Sequence, residues 1–355
     1  MKRRIHLPKE RQEQLTNKRY PGIDCLKYGA AILVIVVHIS PLFPTMKWLS
    51  YTFSNGIGRL AVPIFFLVSG FLVRERLKKD PAYFKSYLKK LGKVYGWWSL
   101  FYLPLGLLWL NQNVDIPWFL YPLALLVGFF YAGTYYHLWY VPALMFALVI
   151  VNWLLKRWNY KVVLTLSGML YLLGCLETYY SLLTNTYLIE IVDSYMKIFQ
   201  TTRNGLFFGM IFVALGFFVS DHSQRFAKYA KVTYLVPCLG LLIAELCFIF
   251  DKPRLDANFL VMFVPVALLL LLIAKDWQVK LSQERLLQLN QWTNFYYFGH
   301  LFVLFFWTKL SQSTSFKGLF QQNGWLRFIL VLVTVHCLGL MWQKVRTKLF
   351  QVTEG

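Results

Sequence analysis

Long apolar blocks, separated by short polar or charged stretches, recur along the chain from residue 26 to residue 342. Ten of them lie at roughly 26–43, 57–73, 94–110, 138–155, 161–177, 204–220, 232–250, 257–274, 293–310 and 325–342. Each has about 17–20 residues, the length of helix that a bilayer core requires. Lipid offers the backbone no hydrogen-bond partner, so each block is expected to be helical. The pattern predicts an all-α, polytopic integral membrane protein with about 10 transmembrane helices. An eleventh block, 118–133, is shorter and carries Pro122 and Gly128.

Charge decides whether that block crosses. If it does not, one side of the membrane receives 1–27, 74–93, 156–161, 221–231, 275–292 and 343–355, which gather 28 of the 37 lysines and arginines. If it does, every later loop inverts and the short basic segments after residue 155 fall outside, against the positive-inside bias. The expectation is therefore ten spans with both termini cytoplasmic, and a half-inserted helix within the outer loop 111–133. Residues 1–19 are basic and polar with no cleavage-site pattern after the first apolar run, and are expected to form a cytoplasmic arm. The divisions that follow are the arm, a single membrane domain over 20–342, and a short cytoplasmic tail over 343–355.

Composition agrees: 57% of the 355 residues are hydrophobic and only 15% are charged. A soluble one- or two-domain enzyme, a disordered chain and a disulfide scaffold are excluded. The formal net charge of +21 would point to nucleic acid in a soluble protein. Here the loop bias and contact with anionic membrane lipid account for it, and no nucleic-acid partner is expected. The five cysteines show no C-x-x-C spacing and read as small core residues. No Walker loop, dinucleotide glycine pattern, H-E-x-x-H or G-x-S-x-G is present, and no metal site is expected.

Ionisable side chains inside apolar blocks are costly and face cavities or partners. The first block offers Asp24, Lys27 and His38. Lys27 and His38 are eleven residues apart, which sets them within about 20° on one helix face and about 16 Å apart along it. That places a cation at the cytoplasmic mouth and an imidazole near mid-membrane, with Asp24 one turn from Lys27 and in position to pair with it. Arg59, His137, Arg203, Glu245, His300 and His336 are the other intramembrane or edge candidates. Snorkelling to headgroups is an equal reading for Arg59 or Arg203 alone, as is packing for His336 and an interfacial belt for Trp139. The eight basic residues of 74–93 mark the inner side, or else hold an anionic cofactor.

In order and spacing, five segments resemble the bacterial membrane acyltransferase 3 family, the multi-span acyltransferases of surface polysaccharides. They are Gly22-Ile-Asp-Cys-Leu-Lys-Tyr-Gly-Ala-Ala through His38, Arg59-Leu-Ala-Val-Pro-Ile-Phe-Phe-Leu-Val-Ser-Gly-Phe-Leu, His137-Leu-Trp-Tyr-Val-Pro-Ala-Leu, Arg203-Asn-Gly-Leu-Phe-Phe-Gly and Phe295-Tyr-Tyr-Phe-Gly-His300. Lys27 stands where the family commonly has Arg, and Lys90-Leu-Gly-Lys93 where it commonly has Arg-x-x-Arg.

The resemblance implies acyl-CoA, acetyl-CoA first of all, as a cytoplasmic donor substrate and no bound cofactor. The acceptor it implies is an envelope glycan or lipid-linked saccharide outside the bacterial cell membrane. In that reading Lys27, Lys90 and Lys93 hold the coenzyme phosphates. His38, tuned by Asp24 or another neighbour, is the general base. Arg59, His137, Trp139, Arg203 and His300 line the acceptor side. The rival reading is a transporter of an amino acid such as serine, or of a glycan precursor, whose route the same residues line. A structural scaffold is a third reading. Self-association into a homo-oligomer is left open.

Overall fold

The computed structural model describes residues 19–312 and 316–352, with backbone only for 344–352. The expected arm, apart from Arg19, and the end of the tail at 353–355 lie outside the described residues. Among those described, all regular structure is helical.

The helices are α1 (Pro21–His38), α2 (Lys47–Leu77), α3 (Tyr83–Asn113), α4 (Tyr121–Phe130), α5 (Tyr140–Leu154), α6 (Tyr160–Cys175) and α7 (Thr186–Phe199). There follow α8 (Gly205–Asp221), α9 (Ser223–Tyr229), α10 (Val232–Ile249), α11 (Phe263–Asp276), α12 (Gln283–Gln312), α13 (Lys317–Gln322) and α14 (Gly324–Val352). Each of the ten apolar blocks falls on one of these. By length and composition alone, α1, α2, α10 and Gly324–Gln343 of α14 are long and apolar enough to cross a membrane. The pair α8 and α9, bent by 100°, makes a fifth candidate as a broken span. The lateral surface is apolar, with Trp97, Met169, Val236 and Met341 all exposed, as lipid contact requires. This is a membrane protein.

The block at 118–133 forms a single 3-10 turn followed by α4. At 1.5 Å per residue, these ten α-helical residues reach about 15 Å, half the thickness of the hydrocarbon core. The stretch 178–203 contains α7, whose Tyr187, Ile191 and Ile198 are exposed beside Glu190 and Lys197. Asn159 and Asn185 each accept a hydrogen bond from a first-turn backbone N–H, of Val162 at 3.1 Å and Leu188 at 3.2 Å, and so fix the starts of α6 and α7.

Polar contacts identify one end of the bundle. Arg74, near the end of α2, grips Asp221 at the end of α8 through Nε and Nη2 at 2.7–3.0 Å. The Tyr160 hydroxyl, at the start of α6, donates to the same carboxylate at 2.6 Å. Glu75 accepts from Ser220 at 2.6 Å and from Tyr20, before α1, at 3.2 Å. The starts of α1 and α6 therefore lie with the ends of α2 and α8, and the basic segment 74–93 emerges there. The end of α1 and the starts of α8 and α11 lie toward the opposite end.

The α2–α8 crossing is set by glycine. A Cβ on Gly70 would lie 2.7 Å from the Val213 carbonyl oxygen. One on Gly216 would lie 2.6 Å from the Phe71 backbone nitrogen and would collide with the Leu67 carbonyl. Backbone meets backbone here, the close approach that small residues permit in membranes.

Both helices also break α-geometry near one end. Residues Thr52–Ile57 of α2 form a π-turn, as do Gly205–Gly209 at the start of α8. Each comes within two residues of an arginine expected at the site, Arg59 and Arg203.

Glu245 of α10, expected to pair within the bundle, accepts from the backbone N–H groups of Val261 at 2.6 Å and Met262 at 3.0 Å, and from the Tyr179 hydroxyl. It thereby caps the start of α11. Glu245→Ala leaves three donors without their acceptor, and should cost roughly 2–4 kcal/mol of stability. A thermal-unfolding midpoint equal to that of the wild type in the same detergent would refute this.

Candidate functional site

Three histidines from distant parts of the sequence meet toward the end of the bundle opposite the basic one. The ring of His38, the last residue of α1, lies 5.0 Å from that of His300 on α12, centroid to centroid. The ring of His137, just before α5, lies 5.6 Å from His300. His38 is half-buried and also meets the Tyr136 ring at 5.4 Å. His137 and His300 are buried.

Their hydrogen bonds differ in a useful way. His300 Nδ1 faces the Tyr296 carbonyl at 2.8 Å, which assigns the proton to Nδ1 and leaves a lone pair on Nε2. Among the described residues, that Nε2 has no hydrogen-bond partner, and neither ring nitrogen of His137 has one. The His137 backbone is fixed instead, its carbonyl accepting from Tyr297 Oη at 2.7 Å. Among the described residues no group of three or more His, Cys, Asp or Glu has the geometry of a metal site.

A hydroxyl from α3 joins the α12 backbone at this point. Tyr102 Oη of α3 donates to the Phe298 carbonyl at 2.6 Å and accepts from the Phe302 N–H at 3.1 Å. These two groups are partners in a regular α-helix, so a hydroxyl bridges the ladder across the turn that holds His300.

Beside the histidines stand two guanidiniums. Arg59 donates through Nε to Asn55 at 3.0 Å, and through Nη1 to Asp256 at 3.1 Å and to Asn258. Arg203 donates to the same Asn258 Oδ1 at 3.4 Å and lies over the Trp139 ring at 5.0 Å. Trp139, beneath Arg203, is two residues from His137 and so ties the guanidinium pair to the histidines. Trp139 is buried beneath Arg203, which is not the placement of an interfacial belt residue.

Asp256 belongs to the segment between α10 and α11. Burial pushes its carboxyl up, but Arg59, Arg203, the Ala257 N–H and the Asn258 amide outweigh burial and hold it below the usual carboxylate range. A folded-state value below the unfolded one stabilises the fold above the ordinary Asp range, about pH 3.9, and that contribution is lost as pH falls through the folded value. Between about pH 5 and about pH 3 the melting temperature of the wild type should therefore fall further than that of Asp256→Asn. Parallel curves would contradict the assignment.

The helix α1 differs from expectation in three respects. The helix begins at Pro21 and stops at His38, ahead of Pro41 and Pro44. Pro41 disfavours helical geometry at Ser40, so His38 is a helix-terminal residue, where the apolar block had suggested a helix running on to Phe43. Asp24 is 14 residues, about 21 Å of helix, from His38 and does not touch it. Asp24 and Lys27 do not pair directly either. Asn290 of α12 lies between them, donating to Asp24 at 2.7 Å and accepting from Lys27. Lys27 is thus engaged inside the bundle, while Lys90 and Lys93 stand exposed on α3. The shared helix face does appear: Lys27 and His38 both meet α12, at Asn290 and His300.

A cavity of about 300 Å3 opens at the basic end, lined by Arg19, Tyr20, Glu75, Lys78 and Lys275 among others. Neither it nor Asn55, Asp256, Asn258, Tyr102 and Asn290 was anticipated. Asp256 and Asn258 had a weak signal, being polar residues at the edge of an apolar block.

Polar groups buried within an apolar-surfaced helical bundle make this a membrane protein with an internal site. A family model described as "Acyltransferase domain" matches residues 20–341, and the chain belongs to the acyltransferase 3 family. Among curated proteins, an "Amino-acid racemase" of Enterococcus faecalis is 28% identical over 93% of this chain and 47% of its own length. A "Serine/alanine racemase" of Enterococcus gallinarum is 30% identical over 88% of this chain and 44% of its own. A second "Amino-acid racemase" of Enterococcus faecalis is 31% identical over 63% and 31%. The chain spans less than half the length of each of these relatives. No solved structure matches it.

Proposed function

We propose that the protein moves an acyl group, acetyl first of all, from cytoplasmic acyl-CoA to a hydroxyl of an envelope glycan or related acceptor outside the bacterial cytoplasmic membrane. In this reading the chain crosses the membrane ten times, 20–342 is one domain, and the basic end is cytoplasmic. The observation that carries the proposal is the accessible His38 imidazole beside the buried, singly bonded His300.

His38 accepts the proton of the acceptor hydroxyl as its oxygen attacks the thioester carbonyl. The carbon–sulfur bond then breaks and the coenzyme leaves as a thiol after taking up a proton. His300 orients the His38 ring by packing against it at 5.0 Å. Arg59 and Arg203 stabilise charge on the acceptor side, over Trp139 and beside His137. At the other end Lys27, Lys90 and Lys93, joined by the cavity residues Lys78 and Lys275, attract the coenzyme phosphates. Asp24 acts on Lys27 through Asn290. The test is release of labelled acetyl from acetyl-CoA by the purified protein in liposomes, with label appearing on a supplied glycan. A protein that takes up no label from the coenzyme under any acceptor would end the proposal.

A second reading has one specific support, the relatives' names. Proteins called amino-acid and serine/alanine racemases match this chain along less than half of their own length. Passage of serine through the same polar path is the corresponding function, and uptake of labelled serine without acetyl-CoA turnover would favour it.

A further inference from the structure

We infer that Arg59 and Arg203 form a receptor for a carboxylate, so that the acceptor is a hydroxy-carboxylate and not a neutral sugar. The inference rests on the reading that an acceptor hydroxyl reacts at His38.

Two guanidiniums converge on one neutral oxygen, Asn258 Oδ1. Asp256 contacts Arg59, and the oxygen that the two guanidiniums share is that of a neutral amide, in a position where a carboxylate oxygen would bind more strongly. The ion pairs are also unequal. Arg59 has a contacting carboxylate, Asp256. Arg203 has none among the described residues: its partners are the Asn258 amide and the Trp139 ring, and its Nε is buried without an acceptor. The other nearby carboxylate, Glu177, is taken up by Thr202 N–H at 2.7 Å and by the hydroxyls of Thr201 and Thr202.

A cation within a membrane bundle that lacks a contacting anion is costly, and a bound anion removes that cost. What Arg203 lacks is a contacting acceptor, and the planar guanidinium fork matches a carboxylate. The Arg59–Asp256 pair is partly open, with side chains 21% and 32% exposed, so water and a small solute reach it. Arg203 lies over the ring of Trp139, two residues from His137, and the His137 ring neighbours His300, which stands 5.0 Å from His38. A ligand with its carboxylate on Arg203 is thereby held on the histidine side of the bundle. Two sources supply such a molecule: a free hydroxy amino acid, or a sugar carrying a carboxylate.

The test is equilibrium binding to the full chain in nanodiscs without acyl donor. The probes are L-serine and glucuronate, with ethanolamine and glucose as their carboxylate-free counterparts. Serine or glucuronate should bind, and which of them does names the source; the counterparts should not bind. Arg203→Gln should weaken binding about tenfold or more, and Arg203→Lys should retain part of it. Asp256→Asn should tighten binding, because a competing negative charge has gone. A purely structural role for the cluster would give no tightening.

Failure of both carboxylates to bind wild type overturns the inference, as does unchanged affinity in a folded Arg203→Gln. If Arg203→Gln does not fold, absence of tightening in Asp256→Asn overturns it. Carboxylate binding without acetyl-CoA turnover would leave the receptor standing and remove acyl transfer. Acetylation of glucose with no carboxylate binding would do the reverse.

Discussion

His38→Ala is expected to reduce acetyl transfer from acetyl-CoA by about 10²- to 10⁴-fold, the usual contribution of a positioned general base. The effect should fall on turnover, with little change in KM for acetyl-CoA, because in the proposed reading the coenzyme phosphates are held from Lys27 outward, about 16 Å or more along α1 from His38 at 1.5 Å per residue. Stability should barely change. His38 is half-buried and its ring contacts are with Tyr136 and His300, so its loss strands no hydrogen-bond partner. His300→Ala should reduce turnover less at saturating substrate, but should also lower the melting temperature. It removes the donor to the Tyr296 carbonyl inside α12 and leaves a cavity. Measuring both variants by label release and by thermal unfolding separates the two roles. Full activity in His38→Ala, with intact melting behaviour, would show that another group takes the proton.

The second large effect concerns the fold. Gly216→Leu should abolish folded protein or leave a small fraction of it. The new Cβ would meet the Leu67 carbonyl and the Phe71 nitrogen, which are backbone atoms and have no rotamer through which to retreat. Overpacking of side chains costs about 1–3 kcal/mol, and here two helices must part. Gly168→Leu on α6 is the control, because nothing lies within 4 Å of its added Cβ. Elution profiles of the two variants in one detergent decide the matter: Gly168→Leu should run with wild type, and Gly216→Leu should aggregate. Identical profiles would mean that α2 and α8 do not cross as closely as described.

The helices were legible because lipid enforces a simple rule, and each apolar block satisfies it. The common face of Lys27 and His38 was legible for a similar reason, as helical phase is arithmetic. What the sequence hid was pairing across distance. Asp256 and Asn258 sit in a connecting segment with no periodicity, and each resembles an ordinary turn residue until Arg59, about two hundred positions away, arrives beside it. Asn290 lies in the polar first turns of α12, where an amide looks like a solvated face. Tyr102 and Tyr297 read as apolar bulk, since the pattern registers a ring and not where its hydroxyl goes. The end of α1 at His38 was signalled by Pro41, but the apolar character of Leu42 and Phe43 masked it.

The π-turn at Thr52–Ile57 has a consequence for how α2 faces its surroundings. A π-turn holds more residues than an α-turn, so the two parts of the helix are out of phase by up to about 100° per extra residue. The stripe ahead of the turn, Trp48 and Tyr51, addresses Phe250, while the stripe beyond it, Leu67 and Gly70, addresses α8. One continuous helix thus serves two neighbours lying in different directions, and Arg59 occupies the joint where one orientation gives way to the other.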